Sequence, residues 1–108
     1  MSCIAVVTTL ATRAEAQRMA RALVERRLVA CAQIAEIESV YRWNDAICAE
    51  PEFRLSLTTI AARYADVERA IRELHSYEMP AIHVHDLAPV YTPYADWVAR
   101  ESGASPGS

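Results

Sequence analysis

The sequence predicts an α+β domain: a ferredoxin-like β-α-β-β-α-β antiparallel sheet with two helices on one face, and a short helix at the C-terminal end. Three observations carry this. Four stretches read as strands and two as helices, in that order along the chain. The second and third strands are long and meet at the two-residue turn Asn44-Asp45. At 108 residues the chain is the size of one domain.

Ile4 to Leu10 is a buried strand: Ile4, Val6 and Val7 are apolar, and Thr8 and Thr9 are β-branched. Thr12-Arg13-Ala14-Glu15 is a capping box, with Thr at the cap and Glu three residues on. The helix it opens sets Ala16, Met19, Ala20, Leu23, Val24 and Leu28 on one face at 3.6-residue spacing, and no glycine ends it.

The second strand runs from about Ala30 to Trp43. Ala30, Ala32 and Ile34 share one parity, whereas Ile37, Ser39, Tyr41 and Trp43 have the other. A bulge near Ala35-Glu36 is the expected cause of the slip. Asn44-Asp45 suits a hairpin, since both residue types tolerate positive φ. The return strand alternates Phe53, Leu55 and Leu57 against Arg54, Ser56 and Thr58. Pro51 interrupts its start and points to an edge or a bulge.

Ala62 to His75 is the second helix, with Tyr64, Val67, Ile71 and Leu74 inward. Ser76 to Pro80 is a loop. Ala81 to Leu87 is a short strand with His83 and His85 on one face. Thr92-Pro93 starts the last helix, Thr as cap and Pro as the first helical residue. The expected organisation is one domain over residues 1–101 and a flexible polar tail over 102–108.

Composition excludes several functions. All 11 basic residues are arginine, and both glycines, Gly103 and Gly107, lie in the last six positions. A phosphate-cradling loop with its lysine, a Gly-rich dinucleotide turn and a Schiff-base lysine are therefore absent. Net charge is -3, which leaves no basic footprint for nucleic acid. No apolar run approaches a membrane span. The N-terminus has no signal-peptide pattern, and the three cysteines form neither a CxxC pair nor an even set. A reduced, cytoplasmic protein is expected. Long second and third strands would project from so small a domain with open edges, which points to an oligomer that shares strands.

The run Ala22-Leu23-Val24-Glu25-Arg26-Arg27-Leu28-Val29-Ala30-Cys31-Ala32 resembles the first-helix-to-second-strand segment of the CutA family, the divalent-cation tolerance proteins. The likeness continues in Ser39-Val40-Tyr41-Arg42-Trp43, in Glu52, in His75-Ser76-Tyr77-Glu78-Met79-Pro80 and in Tyr94-Ala95-Asp96-Trp97. The resemblance implies a homotrimer built like the PII signalling proteins, tolerance of copper and other divalent metals, and no enzymatic reaction. It also marks departures. Glu36 and Asp45 stand where the family has glycines, Thr58 where it has lysine, and Thr8 where some bacterial members have cysteine.

Two sets of residues are candidates for metal or ligand binding. For metal, Cys31 offers a soft thiolate, and His83 and His85 form a same-face imidazole pair followed by Asp86. The expected ion is copper or another divalent metal, not required for folding. For a small ligand or cation, Glu52, His75, Tyr77 and Glu78 match family positions lining the cleft between subunits. Tyr41, Trp43 and Trp97 are expected as packing or interface anchors. An ordinary reading stands beside each: Cys31 as a small buried residue, the histidines as polar surface, and His75 at a helix C-terminus where the dipole favours it. There is no GxSxG elbow or HExxH motif to support catalysis. The alternative to metal tolerance is a PII-like sensor or adaptor that binds a small ligand or partner protein in that cleft.

Overall fold

The structure is a computed structural model and describes residues 2–103. Its elements are β1 (Cys3–Leu10), α1 (Arg13–Glu25), β2 (Cys31–Trp43), β3 (Ala46–Ile60), α2 (Tyr64–Leu74), β4 (His83–Asp86) and α3 (Thr92–Glu101). A single 3₁₀ turn, Ala61–Arg63, leads into α2. The four strands form one antiparallel sheet in the order β2-β3-β1-β4. This is the predicted ferredoxin-like topology.

The parity of each strand decides where the core sits. Ile4, Val6 and Leu10 of β1 and Leu55 and Leu57 of β3 share one sheet face. They pack with Ala16, Met19 and Leu23 of α1 and Val67, Ala70 and Ile71 of α2 as the main core. Both long helices therefore cover one face. The opposite face carries a smaller cluster at one end, where Val98 of α3 meets Cys3 and Ile60.

Helix ends show how the chain turns without glycine. Thr12 caps α1 as expected: its Oγ1 accepts the Glu15 N–H at 3.1 Å. At the other end Arg27 takes φ 59°, and the N–H groups of Arg27 and Leu28 donate to the carbonyls of Val24 and Leu23. This is a Schellman stop with arginine where glycine is usual. The guanidinium of Arg27 donates to the Arg100 carbonyl at 3.0 Å, which gives this side chain a reason to stand there. Val24, predicted inward, is exposed because the packing stripe of α1 is narrower than its apolar run.

Three further expectations need correction. The register of β2 against β3 is continuous from Cys31↔Thr58 to Trp43↔Ala46, so there is no bulge at Ala35-Glu36. The change in parity has another cause. Near the helices the even residues of β2 face the core; beyond Glu36 the ribbon has left the helices, and no core selects a parity. The turn residues Asn44 and Asp45 both take positive φ, as the hairpin reading requires. Pro51 lies where β3 has run past the end of β1, so its missing N–H falls on an open stretch of the strand.

At the start of α3 the cap residue is Tyr91, and Thr92 is already helical without a capping bond. At its end, Ser102 and Gly103 are not tail. Ser102 is fully buried, its N–H donates to the Val98 carbonyl, and its carbonyl accepts from Arg63 Nε at 2.8 Å. Gly103 follows at φ 77°, and a Cβ there would lie 2.4 Å from Arg63 Nη2. Together they end the helix, so the expected tail loses its first two residues; its other five, 104–108, lie outside the described residues.

The molecule has two parts. The body holds the core. The distal β2–β3 ribbon, from Ile37 and Glu52 to the turn, forms an arm of about 24 Å at strand rise. The longest extent of the described chain is 51 Å, against 26 and 20 Å across it.

Candidate functional site

The loop after α2 folds back to the base of the arm. His75 organises it. Its Nε2 lies 2.8 Å from the Thr9 carbonyl oxygen, and its Nδ1 lies 3.0 Å from the Tyr77 backbone nitrogen. A carbonyl can only accept and a backbone N–H can only donate. The ring is therefore held as the Nε2–H tautomer, with both nitrogens committed. His75 is a strut between β1 and the loop, which leaves neither nitrogen free to ligate a metal.

That strut sets Tyr77. Its ring lies 4.7 Å from the His75 ring, and its hydroxyl donates to Glu52 Oε2 at 2.8 Å. Burial, then this bond to Glu52, holds the phenol protonated far above the ordinary tyrosine range. Tyr41 is also pushed up, by desolvation and then by the negative charge of Glu50.

The result is a groove of about 380 Å³ along one face of the arm, from Glu52 at its base to Trp43 beside the turn, lined by Thr9, Tyr41, Trp43, Glu52, Tyr77, Glu78, Met79 and Ala81. Its lining contains two carboxylates and no arginine or histidine. The wall is mainly aromatic and apolar, with Glu52 and Glu78 as the charged groups. Such a wall suits a cation, or a small molecule gripped by ring faces and hydrogen bonds.

Of the predicted cleft residues, Glu52, Tyr77 and Glu78 meet in this groove, and His75 supports it from behind. Tyr41 and Trp43, expected as packing or interface anchors, are exposed on the arm in the single chain and line the groove as well. Trp97 is a packing residue: it joins the cluster around Val98 and stacks on Tyr94 at 5.7 Å. Thr9 and Met79 also line the groove; in the sequence Thr9 shows only as a strand residue and Met79 only as part of the family likeness.

The metal candidates do not come together within the chain. Pairing sets Cys31, Thr58, Ala5 and His85 in one row across four strands. Cys31 is thus three strand spacings from His85, about 14 Å. It is half-buried and its thiol is free. His83 and His85 do stay together, with ring centroids 5.0 Å apart on the exposed β4. Asp86 points to the other face, and its Oδ1 accepts from the Ala88 N–H. Among the described residues no three His, Cys, Asp or Glu side chains form a metal set.

Comparison with known proteins places this geometry. The model of the CutA1 divalent ion tolerance protein family matches residues 4–101. The chain belongs to that family. It is 34% identical over 107 residues to a probable divalent-cation tolerance protein CutA homolog of Encephalitozoon cuniculi, covering 96% of this chain and 94% of the relative. It is 33% identical to the divalent-cation tolerance protein CutA of Thermococcus kodakarensis, covering 93% and 96%. The structure of CutA from Synechococcus elongatus superposes with a TM-score of 0.91 at 32% identity, covering 94% of this chain and 90% of that one. The CutA1 family is defined by divalent-cation tolerance and is not a known enzyme family.

Proposed function

We infer that this chain is a trimeric, cytoplasmic, non-enzymatic divalent-ion tolerance protein, with copper among its ions, and that the groove along the arm is where it receives its ligand. The observation that carries the reading is the groove itself: Glu52 and Glu78 lie beside aromatic walls with no basic side chain to neutralise them. A carboxylate pair of this kind attracts a cation.

Trimer formation is supported by the arm. It exposes Val40, Trp43 and Ile47 at 66%, 49% and 64%, and β2 offers an open edge 13 residues long. A chain does not keep such surfaces wet without a partner, and a second copy is the partner available at the same concentration. Three-fold assembly is what the family resemblance implies. The groove, which runs along the arm, would then lie beside a neighbouring copy. The cytoplasmic placement is supported by three unpaired cysteines. The structure from Archaeoglobus fulgidus is described as that of a periplasmic protein. No helix among the described residues is long and apolar enough to cross a membrane.

A second reading has its own support. A groove of about 380 Å³ is larger than an ion needs and falls in the range of small-molecule sites. This favours a PII-like sensor that holds a small organic ligand against Tyr41 and Trp43. Calorimetric titration separates the two. With Cu2+, Zn2+ and a panel of small metabolites, uptake of metal that is lost in Glu52→Gln/Glu78→Gln supports metal tolerance through the groove. Uptake of a metabolite with no groove-dependent metal supports the sensor.

A further inference from the structure

The three histidines of this chain differ in what their rings are doing. His75 spends both nitrogens on backbone groups. His83 and His85 have no hydrogen-bond or ion-pair partner among the described residues. They sit at i and i+2 on β4, an edge strand, and both are exposed. Their neighbours across the β1–β4 ladder are Val7 and Ala5, which offer no side-chain polar group and little bulk.

The ring separation has a chemical meaning. An imidazole nitrogen lies about 2.0–2.1 Å from a bound Zn2+, which puts the ring centroid about 3.2 Å from the ion. Two imidazoles on one ion then have centroids about 4.5 Å apart at a right angle, and about 5.2 Å apart at the tetrahedral angle. His83 and His85 stand at 5.0 Å, with ring planes 78° apart. The pair is already at chelating distance, on a backbone fixed by four ladder partners.

We propose that His83 and His85 form a bidentate surface site for a transition-metal dication of the Zn2+, Cu2+ or Ni2+ type, with water completing the coordination. Neutral imidazole suits these ions and not Mg2+ or Ca2+. The site shares no residue with the groove: β4 bears it on the sheet face opposite α1 and α2, against Ala5 and Val7 of β1, with the groove's Thr9 and Ala81 two positions from Val7 and His83. It is also separate from the Cys31 thiol, which lies across the full width of the sheet. It does not rest on the groove reading, and either can fail alone.

The test titrates the intact protein with Zn2+, following the histidine ring protons by NMR and the heat by calorimetry. In the wild type the His83 and His85 resonances move with about one equivalent per chain, and the His75 resonances stay, because both of its nitrogens are engaged. His83→Ala/His85→Ala loses that equivalent and keeps its melting temperature. His85→Ala alone weakens it at least tenfold. Glu52→Gln/Glu78→Gln retains it, whatever becomes of the groove. Mg2+ at the same concentration moves neither ring. Zn2+ uptake that is unchanged in the double histidine variant, or His83 and His85 resonances that stay fixed through the titration, overturns the proposal.

Discussion

The body and the arm are made from the same two strands, yet they obey different rules. In the body, Leu55 and Leu57 of β3 are wholly buried beneath α1 and α2. On the arm, Val40 and Ile47 of the same ribbon are about two-thirds exposed, with Tyr41 and Trp43 partly exposed on the other face. Strand pairing is unbroken from one to the other. Backbone hydrogen bonding alone therefore builds the ribbon, while burial decides which part stabilises the single chain. The body holds the core. The arm is a ribbon with apolar residues on both faces and no core of its own to cover them.

That contrast can be broken from either side. The largest effect belongs to the body. Leu57→Ala leaves a cavity under both helices, and chemical denaturation should show a loss of about 2–5 kcal/mol. The next belongs to the arm: Val40→Asp/Ile47→Asp should leave the far-ultraviolet dichroism unchanged while shifting the molecular mass to a smaller species. If that variant keeps the wild-type mass, the arm is not the assembling element.

The junctions come next. Gly103→Ala places a methyl group at a positive φ and against Arg63. It should cost more than about 1 kcal/mol in denaturation, although the sequence places the position inside a polar tail. Tyr77→Phe removes the hydrogen bond to Glu52, for about 1 kcal/mol or less. Its pH dependence has a definite sign. The folded phenol titrates above the unfolded one, so its contribution is complete below about pH 10, where an unfolded tyrosine is still protonated. It is lost as pH rises above that point. The stability difference between wild type and Tyr77→Phe should be constant up to about pH 10 and shrink beyond it.

The sequence was legible where local chemistry decides. The Thr12 cap, the Asn44-Asp45 turn and the alternation of Phe53, Leu55 and Leu57 each depend on neighbours within a few residues, and each is found in the structure. Where distant contacts decide, the local pattern misleads or falls short. The parity change in β2 suggested a bulge, because alternation reveals which side is apolar but not where the helices stop. Ser102 and Gly103 read as tail because their partner, Arg63, is 39 and 40 positions away. The groove was legible in part. Glu52, Tyr77 and Glu78 were marked by resemblance, but the role of His75 as a strut needed the positions of Thr9 and Tyr77. The proximity of His83 and His85 follows from strand period alone, and the separation of Cys31 from them follows only from the strand order.

Coverage of the arm by other copies of the chain, completing the groove along it, is read out by light scattering on the purified wild-type protein. A single species of about three times the 12.0 kDa chain mass, persisting on dilution, is expected. A monodisperse 12.0 kDa monomer with its arm intact would contradict it.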